Sequence, residues 1–189
     1  KEPHQPPTNK PTNQTMMEGK PVIADAFFDV LLSDVKNERR QDEQGVVTLT
    51  EIAADMGFEN RSEVWGEAVK TQSPLEGIVR GRYSRCFIPC VISFRSRTIK
   101  TAFLLDTGGT CTFIGKPTWD KLLEGFEDVG ANTVRVTLNG ETRQEVTLSP
   151  QDRHFADIDV IGTDFLNHME ARVHVDYKRK TCVLEWDEP

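Results

Sequence analysis

Apolar and polar positions change rhythm along this chain near Gly77. Upstream, apolar residues recur at helical spacing. Ile23, Phe27, Val30, Leu31 and Val35 mark a first helix, with Asp25 and Asp29 early and Arg39 and Arg40 late, as the helix dipole favours. Thr48 followed by Glu51 is a capping-box pattern that opens a second helix, stopped at Gly57. Asn60 and Glu63 repeat the pattern and predict a third helix reaching about Lys70. The last two, over residues 49–69, have the outline of a helix-turn-helix.

Downstream the period shortens to that of strands. Residues 83–94 and 98–105 are rich in β-branched and aromatic side chains and flank the break Arg95-Ser96-Arg97, which predicts a hairpin delivering Asp106 at its exit. Phe113-Ile114 continues past the turn, and Pro117 near the first turn opens a short helix to residue 123. Residues 134–138 and 144–148 flank Asn139-Gly140, a strong signal for a tight hairpin. Residues 158–161 are apolar around Asp159 and stop at Gly162; a short helix follows over 164–169. Strands at 173–176 and 181–186 close the chain as a hairpin. The expected organisation is a Pro-rich flexible lead-in over residues 1–20, a helical annex over 21–72, and a mainly β domain over 77–187.

With 189 residues, 37% hydrophobic and 28% charged, the chain has material for one packed domain and an annex. It begins at Lys1, which reads as an excerpt of something longer. The net charge of -7 and the acidic Glu59, Glu63 and Glu67 on the predicted third helix would repel phosphate, so nucleic acid is not an expected partner. No apolar run approaches the roughly 20 residues that span a bilayer, so no membrane partner is expected. Cys86, Cys90, Cys111 and Cys182 show no ligand spacing with His4, His154, His168 or His174. They read as idle thiols in a reducing compartment, the cytoplasm, and neither metal nor cofactor is expected.

Candidate chemistry centres on Asp106. The run Phe103-Leu104-Leu105-Asp106-Thr107-Gly108-Gly109 puts a carboxylate at the end of an apolar strand and before two glycines. Carboxylates rarely sit among apolar neighbours without a partner or a task. A plain turn, with the aspartate capping its own backbone, would use the same residues. Asp164 reads as a cap for the short helix after Gly162, Asp157 and Asp159 as solvated, and His154 and His168 as surface residues.

The segment Leu104-Leu105-Asp106-Thr107-Gly108-Gly109 resembles the active-site signature of retropepsins, the single-lobed aspartic proteases of retroviruses and LTR retrotransposons. Val160-Ile161-Gly162-Thr163-Asp164-Phe165-Leu166 is similar to that family's second signature, which passes behind the catalytic turn. The continuation through Val173-His174-Val175-Asp176 and Lys178-Arg179-Lys180 looks like gypsy-type retrotransposon proteases. The resemblance covers roughly residues 77 to 186 and implies a retropepsin-like barrel.

Peptide hydrolysis of this kind needs two carboxylates sharing a proton around one water, one as general base and the other polarising the scissile carbonyl. A single Asp-Thr-Gly per chain supplies half, so the resemblance implies a homodimer with one Asp106 from each subunit at a two-fold axis. By the same resemblance Thr107 braces the two turns, Gly108 and Gly109 let backbone pass close to the carboxylate, and Ile161 and Gly162 support it from behind. Gly109 stands where the family more often has Ala. The family also places a glycine-rich flap between the two signatures. Here that interval holds one clear hairpin, so Asn139-Gly140 is either a polar flap tip or the turn of a body hairpin. Two readings follow: a homodimeric aspartic endopeptidase acting on polypeptides between large apolar residues, or a catalytically weak retropepsin-like module for dimerisation or protein binding.

Overall fold

The longest pairing in the computed structural model joins β5 (Arg85–Phe94) to β6 (Arg97–Leu105), from Phe94↔Arg97 at the turn to Phe87↔Leu104. The structure describes residues 34–36, 46–65, 73–127, 129, 132–140, 142–152 and 155–187. Six strands close on themselves in the order β5, β8 (Thr133–Leu138), β9 (Thr142–Leu148), β7 (Phe113–Ile114), β10 (Asp159–Ile161) and β6, which pairs back to β5. β4 (Leu75–Arg80), β12 (Thr181–Glu185) and β11 (Arg172–Asp176) extend the sheet beyond β5. The body is mainly β and closed, as the strand pattern leads one to expect.

Strand β6 explains how the barrel and the upstream segment share one chain. Its side chains alternate between two cores, because neighbours along a strand face opposite ways. Ile99, Phe103 and Leu105 pack inward with Ile88, Cys90, Ile92, Val136, Leu138 and Ile161. Ala102 and Leu104 face outward and meet Phe87, Val160, Ile158 and the helix α1 (Leu49–Asp55) through Leu49, Ile52 and Ala53. A strand buried on both faces needs an unbroken apolar run, and Ala102-Phe103-Leu104-Leu105 is one. At α1, Glu51 N donates to Thr48 Oγ1 (3.2 Å) and Thr48 N to Glu51 Oε2 (2.8 Å), the capping box read from sequence.

Two upstream expectations are corrected. In place of a third helix from Asn60, β3 (Ser62–Glu63) pairs antiparallel with Lys100 and Ile99 of β6, and Val64 N extends the pairing to Thr98 O (3.1 Å). Arg61 has φ 59°, which breaks a right-handed helix. Asn60 caps no helix; its Oδ1 accepts from Ala102 N (3.2 Å), covering the edge of β6. The helix-turn-helix outline is thereby lost; residues 66–72 lie outside the described residues. Of the first expected helix, Val35 and Lys36 instead form β1 (Val35–Lys36), parallel to β2 (Val47–Thr48). The rest of that helix and the lead-in lie outside the described residues.

The later expectations hold: α2 (Lys116–Leu123) carries Pro117 in its first turn, α3 (Thr163–His168) follows Gly162, and β11 with β12 closes the chain. All four cysteines are free thiols, two of them fully buried. Burial pushes the Cys90 thiol up to about 12.

Candidate active site

β6 ends at Leu105 and the chain turns at once through Asp106, Thr107 and Gly108. Backbone bonds fix the turn from behind. β10 lies parallel to β6, and Asp106 N donates to Ile161 O (3.0 Å), continuing that ladder past the strand end. Gly109 N donates to Asp106 O (3.2 Å), and Thr163 N donates to Gly109 O (2.8 Å), linking the turn to the start of α3.

Within the turn, Gly108 N donates to Asp106 Oδ1 at 2.9 Å. The aspartate thus caps its own backbone, and the plain-turn reading and the site reading describe one geometry. Oδ2 accepts no hydrogen bond among the described residues and remains for an outside partner. Asp106 is half-buried, while Thr107 and Gly108 are exposed. A cavity of about 330 Å³ adjoins the turn, bounded by Asp106 and Gly109, by Phe113, Phe155 and Val160, and by Arg85. A Cβ at Gly109 would stand 2.9 Å from Asp106 Oδ2, so an alanine there would displace this carboxylate.

The second signature supports the turn by close approach. Gly162 packs on the backbone of Cys111, which a Cβ there would overlap. Its N–H donates to Thr112 Oγ1 (3.2 Å), and that hydroxyl donates to Asp164 Oδ1 (2.7 Å). Asp164 Oδ2 accepts from Thr112 N (3.0 Å) and from Gln144 Nε2 (2.9 Å). Asp164 is not the helix cap expected of it: it sits inside the first turn of α3, and its carboxylate ties that helix to the segment after the turn and to β9. Gly162 occupies the N-cap position, without a side-chain cap bond. Neither Thr112 nor Gln144 stands out in the sequence; the available signal is a threonine on the buried face beside Phe113-Ile114.

Asp159, expected to be solvated, is fully buried. Oδ2 accepts from Thr118 Oγ1 (2.6 Å) and Thr101 Oγ1 (2.8 Å), and Oδ1 from Gly115 N (2.9 Å). Burial raises its pKa, opposed by the charge of Arg61 and by these donors. The cluster joins β10, α2 and β6 near the turn and lies outside its cavity. Asp157 and His168 are exposed, as expected; His154 lies outside the described residues.

Asn139 and Gly140 sit elsewhere. They form the β8–β9 turn, both with positive φ (53° and 82°). Asn139 is 4% exposed; its N–H donates to Val91 O (2.7 Å) and its Oδ1 accepts from Val91 N (3.0 Å). Val91 pairs with Lys100, toward the opposite end of β6 from Asp106. Of the two sequence alternatives, this hairpin is a piece of barrel wall. Between the end of α2 and the start of β8 no other hairpin occurs among the described residues.

Among the described residues no three His, Cys, Asp or Glu side chains gather as a metal-binding group, and no helix is long and apolar enough to cross a membrane. No family model matches the chain, and no curated protein does. Among solved structures, a retropepsin-like aspartic protease from Rickettsia conorii aligns with it at 17% identity and a TM-score of 0.42, over 63% of this chain and 96% of that one.

Proposed function

We propose that the chain is a homodimeric aspartic endopeptidase in which Asp106 of each of two copies contributes one carboxylate to a shared site. The observation that carries this reading is the Asp106 turn. One carboxylate oxygen is held by Gly108 N, the other is left without a partner among the described residues, and a cavity adjoins it. The Asp-Thr-Gly-Gly resemblance and the support from Ile161 and Gly162 agree with it. Exposed Thr107 and Gly108 are available to a second copy.

Two carboxylates brought within about 3 Å do not ionise together, so the pair titrates in two separated steps and holds one proton between them; this is the general behaviour of aspartic protease dyads. The ionised member takes a proton from the attacking water while the protonated member donates to the scissile carbonyl oxygen. As the tetrahedral intermediate collapses, a carboxyl returns a proton to the leaving amine. The reaction consumes water and no cofactor.

The testing experiment is cleavage of a mixed peptide library across pH 4 to 7, comparing the chain with Asp106→Asn at high protein concentration. Cleavage that is bell-shaped in pH, blocked by a pepstatin-like transition-state mimic and absent from the variant, is the expected result. A second reading, a dimeric module for protein binding with little or no catalysis, is favoured by the seating of Asn139-Gly140 on β5. That hairpin is not available as a lid, and lids position substrate and exclude water. Folded, dimeric protein that cleaves nothing would establish this second reading over the first.

A further inference from the structure

Two cysteines meet across β4. Cys182 of β12 pairs with Gly77, and Cys86 of β5 pairs with Val79. Gly77 and Val79 are two apart on one strand, so both cysteines lie on the same face of the sheet. A side chain at position 77 would stand between them: its Cβ would lie 2.9 Å from Cys182 Sγ and would overlap Phe87 O. With glycine there, Cys182 Sγ passes over β4. It comes to 3.6 Å from Ile78 O and 3.5 Å from the carbonyl of Phe87, the residue after Cys86. The two thiols are joined by a side-chain hydrogen bond. The other cysteines have no such neighbour: Cys90 Sγ accepts from Asn139 Nδ2 (3.7 Å), and Cys111 Sγ lies against Thr110 Oγ1 (3.6 Å).

The two sulfurs are suited to different steps. Cys86 is half-buried at the border of the barrel core, while Cys182 is 1% exposed within it. The hydrogen bond from Cys182 holds the Cys86 thiol below its ordinary pKa against the effect of burial; the same bond, with burial, pushes Cys182 up. We propose that Cys86 and Cys182 are a reversible dithiol–disulfide pair, linked by exchange with a small disulfide such as glutathione disulfide, which locks β12 onto β5. The Cys86 thiolate attacks one sulfur of glutathione disulfide, forming a mixed disulfide and releasing one glutathione thiolate. Cys182 then loses its proton and attacks the Cys86 sulfur, forming the protein disulfide and releasing the second glutathione. Two protein thiols are oxidised, one glutathione disulfide is reduced, and the two protons pass to the released thiolates. The linked positions are 96 apart in the chain, so the bond removes much of the freedom of the unfolded state. The proposal stands apart from the endopeptidase reading.

The test incubates the native full chain in a series of mixtures of reduced and oxidised glutathione, quenches with acid and maps the cysteine peptides by mass. A parallel sample is oxidised in guanidinium, where short loop closure favours Cys86 with Cys90. In the native chain the Cys86–Cys182 link should exceed every other pairing by about tenfold, because the fold and not the chain separation then sets the partner. It should revert with dithiothreitol, and the linked chain should unfold at a higher denaturant midpoint than the reduced one. Cys86→Ser should leave Cys182 unmodified, and Cys182→Ser should stop at the Cys86–glutathione adduct. Native wild-type chain that gives only glutathione adducts, a different pairing or four unchanged thiols overturns the proposal. A linked chain whose midpoint is unchanged or lower overturns it as well, since the bond would then lock nothing.

Discussion

At the scale of single residues, Gly162 and Asp159 carry opposite lessons. Gly162 has ordinary backbone angles; the need for glycine comes from the Cys111 backbone packed against it. Gly162→Ala should therefore destabilise the fold by about 1–3 kcal/mol, the usual cost of forcing atoms into a packed site, read as a lower denaturant midpoint at unchanged m-value. Asp159 acts through its proton. Burial lifts its folded pKa above the ordinary value of about 3.8, so the folded state keeps a proton that the unfolded chain releases. The stability this group contributes is full below about pH 3.8 and falls as pH rises toward the folded value. Asp159→Asn should shrink the difference between the melting temperatures at pH 5 and pH 7.5; an undiminished difference would assign the slope to other groups. In the sequence, Asp159 looks like any polar residue alternating on a strand. Its burial depends on Thr101 and Thr118, distant in the chain, arriving with their hydroxyls.

Elements were legible where the signal is local. The capping box of α1, the turn pair Asn139-Gly140 and the proline at the start of α2 all place their elements, because each signal acts within a few residues. The third helix failed because its signal was local and the deciding contact was not. Asn60 has the residue type of a helix cap, yet the unpaired edge of β6 claims its side chain and Arg61 turns left-handed. Helix α1 is anchored by Leu49 and Ile52, both fully buried against Phe87 and Leu104. Ile52→Ala should cost about 2–5 kcal/mol and lower the melting temperature of the whole domain in one transition. A separate early transition would show instead that α1 unfolds apart from the barrel. The β8–β9 turn can be examined in the same way. Asn139→Ala removes the acceptor for Val91 N and leaves alanine at φ 53°, so it should lower stability. It should leave the ranking of peptides by kcat/KM unchanged; a reordered ranking would return the hairpin to the role of a lid.

For the molecule as a whole, the sequence marked Asp106, its two glycines and the Ile161-Gly162 support, and the fold gathers these around one turn. It gave no sign of Arg85 or Asp34, which meet where the residue before β1 reaches the start of β5, because nothing in an exposed-looking Arg-Cys or Ser-Asp pair announces burial. The account's central claim is that two copies of Asp106 make one site, and subunit mixing tests it directly. Wild-type chain is mixed with Asp106→Asn in varying ratio at constant total concentration, allowed to exchange, and assayed on a cleaved peptide. If each site needs one wild-type aspartate from both copies, activity falls as the square of the wild-type fraction. A linear fall, or turnover by the pure variant, would contradict the shared dyad.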